Sequence, residues 1–406
     1  MINLNYELVD MYNYMDNETG SCKDKIIDTE SLKDIYVKSS SVLKSRHGNW
    51  DEENIYYNCE KYNPSRPFHY YIPRDSQLGL ETILEHFEST EKYIQEIQEE
   101  TEYLYVGLRH DKYHELNSEE ENSCLFAAGK ILGSIRTEER AVKPESVGLC
   151  VQKALTADRN ISFKPHTFIH SAERLGADKV RIDFQSAGLN TSKIYPVVVN
   201  CLWDDRLRVD GTAGITSPIP WLFRYKATIR LKTTNGKYPD LPSSTGMLGT
   251  YGDIVNYSDG SFYFSWYPVC KTIQTTSENG RSLHERLHHG VIRKSLYELA
   301  KVFPGLKQKI SAIGHRHVVE RSLEALMSFI PSVAELMNHP YECELGGGVI
   351  YALGATDIDD PSSHLHRRYE IGPVAHDSYI TVDTGKYCKA PMIAVQTAAM
   401  VEEILR

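Results

Sequence analysis

The sequence has no paired cysteines, no long apolar run and no excess of positive charge, and each absence removes a class of protein. Its eight cysteines, at 22, 59, 124, 150, 201, 270, 343 and 388, stand singly, without a CxxC pair. That excludes a zinc ribbon and a thioredoxin-type motif. In a chain of 406 residues such cysteines read as free thiols of a reducing compartment. No stretch approaches the length that spans a bilayer. The opening residues, MINLNYELVDMYNYMDN, are acidic and lack the apolar centre of a secretory leader. The expectation is a cytoplasmic protein with no membrane partner. A formal net charge of −10 opposes binding to nucleic-acid backbone, which needs clustered Lys and Arg. Internal repeats and low-complexity tracts are also missing.

What is present is ordinary globular patterning. Residues 1–64 are rich in Tyr, Asn, Asp and Ser and show no apolar period. From Gln77 to Glu100, Leu80, Leu84, Phe87, Tyr93, Ile94 and Ile97 recur at helical spacing. Ser118–Gly133 reads as a second helix, capped by Ser118, with Glu119–Glu121 at the positive end of its dipole. Pro144 opens a third helix. Short strands follow at Ile161–Phe163, Thr167–Ile169 and Lys179–Phe184, and Tyr195–Val199 has the continuous apolar pattern of a strand buried on both faces.

The middle of the chain changes style. Over Arg224–Leu231, Tyr225, Ala227, Ile229 and Leu231 fall on one face of a strand, and Lys226, Thr228 and Arg230 on the other. Ser258-Asp259-Gly260 joins two further strands as a hairpin. Helices are expected at Leu283–Lys301, Lys307–Ala312 and Val318–Met327. Gly346-Gly347-Gly348 then leads into the strand Val349–Leu353, with another at Tyr379–Val382 and a last helix through Ala390–Val401. This order predicts an α/β domain with a mixed sheet, interrupted by an inserted antiparallel domain of α+β character.

Four segments carry a resemblance. They are Arg66–Arg74 (RPFHYYIPR), Tyr195–Cys201 (YPVVVNC), Gly249–Asp253 with Phe262–Pro268 (FYFSWYP), and the stretch from Gly347 through Asp357 to Pro391. In this order the chain resembles the D-amino-acid-oxidase/glycine-oxidase superfamily of FAD-dependent oxidoreductases. The resemblance implies a FAD/NAD(P)-binding-like domain with an inserted substrate domain. On that basis residues 1–75 are a divergent part of the nucleotide-binding-like domain and 76–136 a helical part of the substrate domain. Residues 137–212 return to nucleotide binding, 213–345 form the antiparallel substrate domain, and 346–406 close the first domain. It also implies FAD as cofactor, a small-molecule substrate, and oxidation of an amine or amino-acid C–N bond.

One motif of that family is missing. Such a chain opens with a strand, a GxGxxG turn and a helix whose N–H groups receive the pyrophosphate. Here only Gly20 and Gly48 precede Tyr70. Bulky Leu202-Trp203 also stand where small residues are expected after the strand ending at Asn200-Cys201. Two readings stay open: a FAD-dependent enzyme, or a flavin-free relative serving as a binding or partner module.

For the enzyme, the resemblance implies cofactor contacts at Ile169, Asn200, Cys201, Gly385, Lys386 and Tyr387. It places Tyr263, Tyr267 and Arg230 at the substrate side, with Arg224 as a further carboxylate-binding candidate. No metal site is expected. Asp357, Asp359 and Asp360 lack the glycine and distal Glu of a calcium loop, and His284 and His288, with Glu285 after the first, are read as part of a solvated helix face.

Overall fold

The computed structural model describes residues 68–100, 112–139, 144–217, 220–276, 318–358, 360, 372–383 and 390–406. They fall into two compact units. One takes its described residues from 68–139, 221–358 and 360, the other from 144–217, 220, 372–383 and 390–406.

The first unit is built on a nine-stranded sheet. Strand β1 (Phe68–Pro73) pairs antiparallel with β3 (Ile131–Thr137), which pairs with β2 (His114–Leu116). On its other side β1 runs parallel to β9 (Ser243–Gly246). The sheet continues through β10 (Gly252–Asn256), β11 (Ser261–Trp266) and β8 (Trp221–Thr233). Both β12 (Lys271–Thr276) and β13 (Tyr341–Leu353) pair with β8.

Helix α1 (Leu80–Glu100) lies against the β1 side, burying Ile83, Phe87, Thr90 and Ile94 along one stripe. Ile83 and Phe87 meet Tyr70, Ile72, Ile135, Met247 and Leu248 in one core cluster. The second predicted helix is shorter than its pattern. Ser118 and Glu121 close a reciprocal capping box on α2 (Glu119–Leu125), but the chain turns at 126–130 and Ile131 onward joins the sheet. The expected hairpin forms, with Ser258 and Gly260 at φ of 56° and 81°. The strand ends at Trp266, and Tyr267 opens the short helix α5 (Tyr267–Cys270).

Beside this hairpin the ring of Phe329 meets those of Tyr71, Tyr251 and Trp266 at centroid distances of 5.5, 6.0 and 5.8 Å. Gly252 lets the strands close here: a Cβ on it would lie 2.3 Å from the Ser265 carbonyl oxygen. Residues 318–327 are helical as expected, and the 3-10 turn Pro331–Asn338 follows. The expected helices at 283–301 and 307–312 lie outside the described residues.

The second unit starts with α3 (Pro144–Ala157). A three-stranded antiparallel sheet follows, formed by β4 (Thr167–Arg174), β5 (Val180–Ser186) and β6 (Leu189–Tyr195). Residues 161–163 form no strand. The run Tyr195–Val199 is split: β6 ends at Tyr195, and after Pro196 the short β7 (Val198–Asn200) runs parallel to β15 (Tyr379–Val382). Strand β14 (Pro373–His376) completes this sheet. A 3-10 turn (Trp203–Asp205) leads into α4 (Arg206–Thr212), and α6 (Ala390–Leu405) packs Ile393, Met400, Val401 and Ile404 on Ile380 and Val382.

The chain is therefore a mixed α/β protein with one large mixed sheet and two smaller sheets. Strands β1 and β13 both belong to the large sheet, so among the described residues the final return to the second unit comes at residue 372.

Candidate functional site

In the first unit, the polar face of β8 is where chemistry gathers. Alternation puts Arg224, Lys226, Thr228, Arg230 and Lys232 on this face. Register then sets what β13 offers beside each. Glu342 and Glu344 stand opposite Lys232 and Arg230, whereas Gly346 and Gly348 stand opposite Thr228 and Lys226. Charge meets charge at one end, and at the other two glycines leave the sheet bare. Glycine inside a strand weakens it and marks a place where something approaches the backbone closely.

Around this bare stretch lies a buried cluster. Asp357, 3% exposed, accepts hydrogen bonds from the Tyr267 hydroxyl at 2.7 Å, Lys271 Nζ at 2.8 Å and its neighbour Ile358 N at 2.8 Å. Arg224 Nη1 donates to Asp357 Oδ1 and to the Tyr267 hydroxyl oxygen. Arg224, Lys226 and Lys271 all lie within 6.0 Å of the centre of the Tyr267 ring. Lys226 and Lys271 are direct partners across β8 and β12. Like charges placed so destabilise a ladder.

Burial alone would raise the Asp357 pKa. The Arg224 charge and the bonds from Lys271, Tyr267 and Ile358 outweigh it and hold the carboxyl below its usual range. Burial, helped by the nearby Asp357 carboxylate and only partly offset by Arg224, pushes the Tyr267 phenol well above its ordinary value. Arg224 is 5% exposed, and its Nε has no hydrogen-bond partner among the described residues. A buried guanidinium with an unsatisfied donor is costly unless a ligand completes it.

Of the predicted substrate-side residues, Tyr267 stands in this cluster. Tyr263 lies on β11 with Arg230 as its direct partner on β8. Burial first, then the Asp253 charge, lift its phenol to about 12, and Ser265 hydrogen-bonds both Tyr263 and Asp253. Arg230 is exposed at the charged end of the face, between Tyr263 and Glu344. Sequence reasoning missed Lys226 and Lys271 as site residues and gave Asp357 no role beyond excluding a calcium loop. The signal for Lys226 was available in the alternation of β8 set beside the glycines of β13.

In the second unit, Asn200 and Thr381 end the parallel pair β7 and β15. Asn200 faces inward. Its Nδ2 donates to Arg206 O, Asp210 Oδ1 and the Tyr379 hydroxyl at 3.0, 2.8 and 2.8 Å, and its Oδ1 accepts from Leu202 N at 3.2 Å. Tyr379 and Thr381 donate to Asp210 at 2.9 and 2.7 Å, and Arg206 Nη1 reaches Asp210 and Thr381 at 3.2 and 3.0 Å. Asn200 thus fixes the turn that follows it.

The carbonyl of Ile169 accepts from Arg208, which grips Asp205 with two further bonds of 2.6 and 2.7 Å, so this residue ties β4 to α4. Cys201 is exposed as a residue, yet packing around it still pushes its thiol up, away from ready ionisation. Gly385, Lys386 and Tyr387 lie outside the described residues, as do His284 and His288. Among the described residues no group of His, Cys, Asp and Glu could hold a metal ion, and no helix is long and apolar enough to cross a membrane.

Open α/β sheets bind ligands outside the carboxyl ends of their parallel strands. At that edge this chain places Leu202 and Trp203, 37% and 38% exposed. The arrangement fits the flat-ring part of FAD. Among the described residues there is no glycine-rich turn to receive its pyrophosphate.

No protein-family model matches the chain, and no curated protein matches its sequence. Solved structures do match. What they show is the fold. In particular it is similar to glycine oxidase from Geobacillus kaustophilus, with a TM-score of 0.55 and 9% identity over 98% of this chain and 90% of that one. Also similar are L-amino acid deaminase from Proteus myxofaciens (TM-score 0.49, 12% identity, 85% and 73% covered) and L-proline dehydrogenase from P. horikoshii (0.48, 12%, 94% and 80%). The fold assignment rests on the first of these, and at such identities the likeness is one of fold.

Proposed function

We propose that this chain is a FAD-dependent oxidoreductase that oxidises the C–N bond of an amine or amino acid. The observation that carries the reading is the bare, cationic patch on the polar face of β8, set in a fold similar to glycine oxidase along nearly its whole length. FAD, when bound, supplies the two-electron acceptor for that oxidation.

The chain's own residues supply binding and orientation. Arg224 Nε, with Lys226 and Lys271 beside it, receives a substrate carboxylate over Gly346 and Gly348. Asp357 keeps Arg224 and Lys271 in place and offsets part of their charge. Tyr263 and Tyr267 remain protonated at neutral pH because burial raises both phenols. Tyr263 acts as a hydrogen-bond donor that orients the substrate, whereas Tyr267 gives its one proton to Asp357 and so positions Arg224. Arg230, at the outer end of the patch, attracts the anion to the face.

The test begins with the visible spectrum of the purified protein, before and after FAD is added. Flavin bands are expected on reconstitution, followed by peroxide release with an amino acid. Arg224→Ala is expected to raise KM for amino acids by at least about ten-fold, as loss of a charged hydrogen bond does, and to leave amines without a carboxylate unchanged. A folded protein that stays colourless with FAD defeats the reading. In that case the flavin-free alternative has the stronger claim.

A further inference from the structure

We propose that Trp203 is a stacking platform for a flat ring of the bound dinucleotide, at the carboxyl edge of β7. The inference rests on the FAD reading above and adds a residue to it.

Trp203 has a φ of 50°. A bulky residue in the left-handed region is a genuine outlier, and such strain persists only where the surroundings impose it. Here they do. Leu202 N is held by Asn200 Oδ1, and Asn200 is in turn bound to Arg206, Asp210 and Tyr379. Asn200, Arg206, Asp210, Tyr379, Thr381 and Asp383 are all buried. A rigid polar network therefore holds a strained turn. The side chain it presents is a large aromatic, 38% exposed, next to an exposed Leu202.

An indole placed wholly in the core would be covered, whereas this one keeps part of its face open. Glycine would also suit the backbone better. Position supplies the reason: the turn follows the end of a parallel strand pair, where ligands of open α/β sheets sit. An aromatic face there suits a flat heteroaromatic ring. Adenine and the flavin ring share that chemistry, and both belong to FAD.

The test uses the full chain. FAD, ADP and riboflavin are titrated separately against wild type, Trp203→Phe, Trp203→Ala and Trp203→Gly. Binding is followed by equilibrium dialysis and by tryptophan emission, to which Trp50, Trp221 and Trp266 also contribute.

FAD is expected to quench part of the wild-type emission. In Trp203→Phe that part disappears while affinity stays within about three-fold, since a ring remains to stack. Trp203→Ala and Trp203→Gly are expected to weaken binding roughly ten-fold or more. Trp203→Gly should also melt about 2–4 °C higher, because it relieves the strain. Weaker binding in a more stable protein cannot come from misfolding. In these two variants, loss of riboflavin binding assigns the platform to the flavin ring, and loss of ADP binding assigns it to adenine. Wild-type FAD affinity in both Trp203→Ala and Trp203→Gly overturns this inference and leaves the FAD reading standing. A wild-type protein that binds none of the three ligands overturns both.

Discussion

Asp357 joins residues far apart in sequence, 86 positions from Lys271 and 133 from Arg224. A buried carboxylate holding two cations is hard to remove, because each cation left behind is uncompensated. Asp357→Asn is expected to cost about 3 kcal/mol, read as a shift in the urea midpoint. Its pH dependence follows from the lowered pKa. The stability it contributes is full above its ordinary value of 3.8 and is lost as pH falls through the lower, folded-state value. The variant should therefore show a shallower loss of stability in acid. His69 behaves differently. Burial first, then the Arg136 charge, depress its pKa from 6.5 to about 4, so the folded chain refuses a proton that the unfolded chain accepts. Stability of the first unit should fall as pH drops from 6.5 to 4. An NMR titration of His69 with a midpoint near 6.5 would contradict this. At this scale the sequence was a poor guide. Tyr267 and Asn200 were picked out by resemblance. The partners of Asp357, however, are set by strand pairing over more than eighty residues, which no local pattern records.

Elements were more legible. The stripe on α1, the cap at Ser118 and the hairpin at Ser258–Gly260 each have a local cause, and each formed where that cause lay. Where a run served two elements, pattern misled. Ile131–Gly133 continues the apolar run begun at Leu125, but Phe126 leaves the helix and β1 claims the residues that follow. Tyr195–Val199 looks like one strand, yet Pro196 lacks the N–H a ladder needs and divides it. Gly252 marks a constraint between elements. Gly252→Ala would bring a Cβ within 2.3 Å of the Ser265 carbonyl and 2.5 Å of the Trp266 ring. The backbone oxygen cannot step aside. The expected loss is about 2–3 kcal/mol, with a changed near-UV circular dichroism signal as Trp266 shifts. An unchanged denaturation midpoint would refute the close approach.

For the molecule as a whole, the mixed α/β class was readable before the structure. The partner of β13 was not, because it carries the apolar run of a buried strand and only its pairing with β8 assigns it to the large sheet. The glycine turn of the superfamily is absent from the sequence, so the resemblance had to rest on scattered segments. The small sheet of the second unit has a practical consequence. Its outer strand β6 is paired on one side only among the described residues and carries Leu189 and Ile194, 71% and 58% exposed. An open edge with apolar side chains is a template on which another chain can lay a strand. Concentrated solutions should therefore scatter more light with time, and Ile194→Lys should slow that rise, since charge on an edge strand blocks such pairing. Lys193 is already one such guard. The colloidal limit of the protein is thus written on a seven-residue strand that carries neither the β8 face nor Trp203.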